Sequence, residues 1–214
     1  MPDAVKPRRR YDSRGRREQA RRNAVAVLEA GQRLFLDNGY AATTIAAIAT
    51  AAGVSVETVY KGFGNKAGLV RAIHDRALAG HGSVPAFQRS DEMRAGEPDP
   101  HEVIRKWAGF LTEVMPRVAP ILLLVRSAAA TDPEVAVLWE ELEDQRLNRM
   151  SDNARHFSDR GHLRSDRTRP QARDVLWAYT SPELYERLVL RQGWPLKTYG
   201  QFVSEGIVAA LLPS

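Results

Sequence analysis

Residues 43–66 read Thr43-Thr44-Ile45-Ala46-Ala47-Ile48-Ala49-Thr50-Ala51-Ala52-Gly53-Val54-Ser55-Val56-Glu57-Thr58-Val59-Tyr60-Lys61-Gly62-Phe63-Gly64-Asn65-Lys66, and this stretch decides the fold. The Thr43-Thr44 hydroxyls can cap a helix, and Ile45, Ile48, Ala49 and Ala52 then share one face of it. Gly53 ends that helix in a left-handed turn. A second short helix starts at Ser55, with Val54 before the cap and Val59 four positions after it, the spacing of a hydrophobic staple. Its core contacts are Val59 and Phe63, and Gly62 and Gly64 break it. Ala49, four residues before the glycine, is small enough for the two helices to cross closely, so the pattern predicts a helix-turn-helix. In that motif only the second helix can enter a major groove while the first lies across the backbone. An αα-hairpin used purely for packing would carry the same turn.

Upstream, residues 1–17 hold Lys6, Arg8, Arg9, Arg10, Arg14, Arg16 and Arg17 with almost nothing apolar, the composition of a flexible basic arm. From Glu18 onward Ala24, Val27, Leu28, Gly31 and Phe35 recur at helical spacing, with Glu18/Arg22 and Glu29/Arg33 as outward i,i+4 pairs and Asn38-Gly39 as the stop. Downstream, Asn65 is placed to cap a helix carrying Leu69, Val70, Ile73 and Ala77 to about Gly80. Residues 81–99, with Gly82, Pro85, Gly96 and Pro98, read as a loop and the one seam in the chain. Beyond it the periodicity predicts helices near 100–116, 118–130, 133–160, 169–180, 182–192 and 196–212. Asp99-Pro100, Asp132-Pro133 and Ser181-Pro182 each put a capping side chain before a proline at the first helical position. No strand period is visible, so the predicted fold is all-α.

The chain has 214 residues, is 43% hydrophobic and contains no cysteine, which excludes disulfide scaffolds and cysteine-ligated zinc. The longest purely aliphatic run, Ile121 to Val125, is far shorter than a membrane span, and no apolar segment follows the basic start. The expectation is a cytoplasmic protein without membrane association. Charge is uneven: residues 1–80 carry 14 Lys/Arg against 7 Asp/Glu, whereas 81–214 carry 17 against 19. A basic first third on a slightly acidic remainder suits a nucleic-acid-facing module joined to a ligand or partner module. It equally suits a solubilising arm. The histidines, His74, His81, His101, His156 and His162, form no metal-spaced pair on one helix face, and neither a nucleophile elbow nor a phosphate loop occurs. No catalytic residue, metal site or cofactor is predicted.

Gly39-Tyr40, Thr43-Thr44-Ile45, Ile48-Ala49, Ala52-Gly53-Val54-Ser55, Val59-Tyr60, Phe63 and Lys66 together resemble the N-terminal DNA-binding domain of the TetR family of transcriptional regulators. The resemblance covers about residues 18–75. It extends more loosely to Ser181-Pro182-Glu183-Leu184-Tyr185 and Arg191-Gln192-Gly193-Trp194, which look like the end of many effector domains of that family. It implies an arm at 1–17, a three-helix DNA-binding domain at 18–65 and, through a linking helix, a helical ligand-binding and dimerisation domain at 66–214. The implied function is a homodimeric regulator, a repressor, that binds double-stranded palindromic operator DNA and is released by a small-molecule effector. A constitutive DNA-binding protein, or a helical carrier or enzyme, are the alternatives.

Carried over residue by residue, the resemblance gives Thr44, Tyr60 and Lys66 contacts to phosphates, positions that orient rather than read. Base choice falls to Ser55, Val56, Glu57 and Thr58: Glu57 could accept from cytosine N4, and Val56 and the Thr58 methyl could meet a thymine methyl. Alternatively, Glu57 complements the helix dipole and Ser55 only caps. Lys61, where family members often carry an aromatic residue, adds a further phosphate contact, and Ala46-Ala47 replace charges common on the preceding helix. In the effector half Trp107, Phe110, Met115, Leu122, Trp139, Met150 and Trp177 are candidates to line an apolar cavity, although such residues are more often plain core. Dimer candidates are the faces carrying Val175, Leu176, Tyr179 and Leu188, and Phe202, Ile207 and Leu211, with intramolecular burial as the competing role.

Overall fold

Side-chain caps set most of the helix starts. In the computed structural model, which describes residues 13–80, 84 and 86–213, the Thr44 hydroxyl accepts from the Ala47 N–H at 3.1 Å, Ser55 from Thr58 at 3.1 Å and Asn65 from Gly68 at 2.7 Å. The helices that follow these caps are α2 (Ile45–Ala52), α3 (Val56–Phe63) and α4 (Lys66–Ala79), preceded by α1 (Ser13–Ala42). Asp99, Asp132, Thr168 and Ser181 cap the later helices in the same way, all but the last of these sites belonging to elements of at least eleven residues. Those later elements are α5 (Ala86–Gly96), α6 (Pro100–Ala129), α7 (Pro133–Asp159), α8 (Arg169–Tyr179), α9 (Pro182–Tyr185) with a π-helical turn at Glu186–Arg191, and α10 (Leu196–Leu211). The fold is all-α, with no strand among the described residues.

Four boundaries differ from the sequence expectation. The first helix begins at Ser13, so 13–17 of the expected arm are helical, while residues 1–12 lie outside the described residues. Glu18 pairs with Arg14 rather than Arg22, and Glu29 reaches across to Arg76 of α4 at 2.7 Å rather than to Arg33. Within the expected loop 81–99, residues 86–96 form α5, a helix missed because polar bonds rather than an apolar stripe hold it. The helices expected at 100–116 and 118–130 are one, α6, running through Pro116 and Pro120. Each proline removes a backbone donor; the buried row Val114, Met115, Val118, Ala119, Ile121 and Leu122 supplies the packing that carries the helix past them. Finally, 182–192 divides into α9 and the π-helical turn.

Asn38-Gly39 does interrupt α1, where Gly39 adopts φ 79° and ψ 168°. The buried Thr43 hydroxyl closes that turn by donating within reach of the Gly39 and Leu34 carbonyls, at 2.8 and 3.0 Å. Gly53 takes φ 67° and ψ 33°, the left-handed cap between α2 and α3.

Two apolar clusters hold the helices together. The first closes the helix-turn-helix around Val27, Phe35, Ile48, Val59 and Ile73 and continues into Val118, Ile121, Leu122, Leu138 and Leu142 of α6 and α7. The second gathers Ile104, Met115, Phe157, Leu176, Tyr199 and Ile207 from α6, α7, α8 and α10. By length and composition α6 is apolar enough to cross a bilayer, but it is a central core helix packed on α1, α4, α7 and α10.

Candidate functional site

α3 has eight residues, too few to be stable alone. It is held by the Ser55 cap, by the buried Val59 and by the half-buried Phe63, which leaves the rest of its surface outward. Ser55, Val56, Glu57, Thr58, Tyr60 and Lys61 are all exposed, Val56 to 40% and Tyr60 to 50%. Thr44, at the start of α2, is exposed beside this face in the fold of the helix-turn-helix. The Ser55 hydroxyl is within 2.8 Å of the Thr58 hydroxyl as well as capping its N–H, so the capping role of Ser55 is realised and the two side chains are locked together. Glu57 lies in the first turn of α3, where a carboxylate complements the helix dipole.

Lys66, the first residue of α4, is half-buried, and its Nζ stands 4.0 Å from the centre of the Tyr40 ring. Tyr40 in turn stacks on Phe35 with centroids 5.7 Å apart. Burial lowers the Lys66 pKa, opposed by the nearby Asp132. Burial, with Asp132 and Glu134 close by, pushes the Tyr40 phenol up to about 12. The ammonium is thus placed on an aromatic platform rather than on a freely swinging stem. Asn65 ties the same corner to α7, its amide donating to Glu134 Oε2 at 3.0 Å, and Arg71, six positions further on, pairs with Glu141 of α7.

A cavity of about 170 Å³ lies between α4, α5, α6, α7, α8 and α10. Of the candidates for an apolar chamber, Trp107, Phe110, Met115, Leu122 and Met150 line it. Trp139 and Trp177 do not. Trp139 packs against the first core from α7, and Trp177 is 37% exposed with the Arg146 guanidinium 5.0 Å from its ring. Sequence reasoning missed the polar lining, Arg146, Arg149 and Asn153 of α7. Their spacing with Leu142 and Met150 was the available signal, since these residues make one helical stripe in which the arginines interrupt an apolar face.

Of the proposed dimer faces, Leu176, Ile207 and Leu211 are buried within the chain, whereas Phe202 is 39% exposed. Phe202 lies in an aromatic row with Tyr179 and Trp194, at centroid distances of 6.2 and 5.6 Å. No group of three or more metal-ligating side chains occurs among the described residues.

Residues 27–73 match the family model for bacterial regulatory proteins of the tetR family. Over 90 residues the chain is 36% identical to the HTH-type transcriptional regulator TtgR of Pseudomonas putida, a match covering 42% of this chain and 41% of that protein. The matched stretch is thus about two fifths of the length of that relative. The fold is similar over nearly the whole chain to NalD, the secondary repressor of the MexAB-OprM multidrug efflux pump in Pseudomonas aeruginosa, with TM-score 0.74, 20% identity and coverage of 91% and 99%. It is also similar to SmeT in its complex with triclosan, with TM-score 0.69, 22% identity and coverage of 90% and 92%.

Proposed function

We infer that this chain, whose residues 27–73 match the family model for bacterial regulatory proteins of the tetR family, is a ligand-responsive transcriptional repressor of that kind. In this reading it binds a palindromic operator as a homodimer and is released when a small molecule occupies the cavity. The observation that carries the DNA-binding part is α3 itself. A short helix presenting Val56 and Tyr60 to solvent beside Ser55, Glu57, Thr58 and Lys61 is a surface shaped for a partner rather than for the core. Thr44, Tyr60, Lys61 and Lys66 bind phosphates and set the docking; Ser55, Val56, Glu57 and Thr58 meet base edges. Symmetry would place two such helices about 34–36 Å apart along the duplex.

The dimer forms through the outward faces of α8 and α10, where Trp177, Leu196 and Phe202 remain exposed. For release, the ligand must prefer the geometry of the dimer that does not fit the operator, because only a difference in affinity between two states shifts their populations. Support for a linkage comes from α7, which lines the cavity along its middle and touches Asn65 of the DNA-facing corner through Glu134. SmeT, of similar fold, forms a complex with triclosan, which supports the reading of a chain that answers to a small molecule.

The test is fluorescence anisotropy of the purified protein on the DNA flanking its own gene, with a scrambled duplex as control, over a salt series. Tight binding to the native sequence alone, weakening steeply with salt as counterions are released, is expected. Equal binding to both duplexes would reduce the protein to a non-specific basic surface, and failure on a genomic fragment library would favour a carrier or an enzyme.

A further inference from the structure

Among the described residues the cavity is lined by two guanidinium groups, Arg146 and Arg149, and by the imidazole of His74, and no carboxylate is among them. The two arginines are not equivalent. Arg146 is committed, its Nε and Nη2 donating to the two Glu143 oxygens at 3.1 and 3.0 Å and its Nη1 to the Trp177 carbonyl at 3.0 Å. Arg149, whose side chain is only 13% exposed, is held from across the cavity by α5: its Nη2 lies 2.8 Å from Asp91 Oδ1. That same oxygen accepts from Arg94 at 2.7 Å, and Arg94 donates at 3.3 Å to Asn153, another lining residue. One carboxylate therefore serves two guanidinium groups, and these three side chains together sum to one positive charge.

His156 lies two turns beyond Arg149 on α7, near enough to Arg94 to feel its charge. Its pKa is lowered to about 4, first by burial and then by the positive charges of Arg160 and Arg94, with Asp159 opposing weakly. The remainder of the chamber is a sleeve of Trp107, Leu111, Met115, Leu122 and Ile207.

We propose that the cavity selects an apolar molecule bearing a single carboxylate, with the carboxylate at Arg149 and Asn153, behind which Arg94 stands, and the hydrocarbon body along the sleeve. This rests on the reading of the cavity as the effector site. A carboxylate is stable in such a place only when paired and hydrogen-bonded, and the excess guanidinium provides both the charge and a planar pair of donors. A lipophilic cation would instead add a second uncompensated positive charge, so the cavity rejects it. Asp91 is the chain's own carboxylate at this position, and the ligand's carboxylate competes with it for Arg149.

Titration calorimetry of the full chain with octanoate, 1-octanol and octyltrimethylammonium tests the proposal, since a chamber of about 150 Å³ already accepts a benzene-sized body. Octanoate is expected to bind at least about tenfold more tightly than 1-octanol, and the cation to give no binding. Asp91→Asn removes the internal competitor and tightens octanoate by about fivefold with 1-octanol unchanged, an outcome that a merely structural salt bridge would not produce. Arg149→Gln abolishes the preference for octanoate while 1-octanol still binds, which shows that the chamber remains folded. Equal binding of acid and alcohol, binding of the cation, binding of none of the three, or weakening of both acid and alcohol by Asp91→Asn would each overturn the proposal. The same titrations repeated on the protein bound to DNA separate it from the reading beneath it: octanoate that binds but leaves DNA affinity unchanged refutes ligand-controlled release and leaves the ligand class standing.

Discussion

α3 and α5 are both short helices laid on the outside of the protein, and they are held in opposite ways. α3 is anchored by apolar contact through Val59 and Phe63 and by a side-chain cap. α5 is tied by charge: Arg89 Nη1 to Glu113 at 2.7 Å, Asp91 to Arg149, and Arg94 to Asp91 and Asn153, with Ser90 the one buried residue among 88–96. Apolar anchoring is insensitive to salt and holds a helix in one register; ion pairs at a surface contribute little each and weaken as salt screens them. In the proposed function α3 presents four side chains to base edges, and the first arrangement suits that role. In the same reading α5 borders the ligand chamber through Ser90, and the second arrangement suits that place.

The largest effect that sharpens this contrast is expected from Val59→Ala. Removing two buried methyl groups under α3 costs about 2 kcal/mol of stability and leaves the helix without its anchor, so DNA binding falls further than the global loss explains. Chemical denaturation together with anisotropy on DNA checks both halves. A variant that loses stability but binds DNA normally once folded would show that α3 is held by something other than its apolar face.

Next in size is Lys66→Ala, which should weaken DNA binding by about tenfold at low salt and reduce the slope of log affinity against log salt by about one unit. The loss should be the same on native and scrambled duplexes, because the proposed function makes Lys66, held on Tyr40, a phosphate contact apart from the residues assigned to base edges. A loss confined to the native sequence would give Lys66 a reading role and break the division between orienting and reading positions.

The same contrast explains which parts of the fold were legible in the sequence. Thr44, Gly53, Ser55 and Asn65 act on residues three or four positions away, so their roles can be read locally, and each caps or turns the chain where its neighbours indicate. α5 cannot be read this way. Its partners Glu113, Arg149 and Asn153 lie up to about 60 positions downstream, and an isolated polar segment between glycines and prolines looks like a loop. The continuity of α6 through Pro116 and Pro120 is likewise a tertiary result, because packing against α4, α7 and α10 overrides two local breakers. Trp139 and Trp177 were indistinguishable from Trp107 by composition; only the rotation of each helix separates a lining residue from a packed or exposed one.

A smaller effect is expected from Glu113→Gln, which removes the Arg89 pair and its bond to Arg117. Global stability should change by no more than about 1 kcal/mol, whereas hydrogen exchange in α5 should accelerate selectively, and added salt should produce the same acceleration in the unmodified protein. Unchanged exchange in α5 would mean that charge does not hold it.

The smallest effect is a pH slope. His156 titrates near 4 in the folded chain against an ordinary value of 6.5, so between these values the unfolded chain binds the proton and the folded one does not. Stability from this group is therefore complete above about pH 6.5 and is lost as the pH falls toward 4. Asp91 and Glu113, both lowered first by hydrogen bonds from arginines, lose their contribution only below the ordinary carboxylate values of 3.8 and 4.5. The two windows can thus be separated. His156→Gln should flatten the melting temperature between pH 6.5 and 4.5 and leave the steeper fall below pH 4 intact, where the α5 ion pairs are protonated. If the slope between 6.5 and 4.5 survives the substitution, His156 is not the group that titrates in that window, and its burial does not hold the ring neutral in the folded chain.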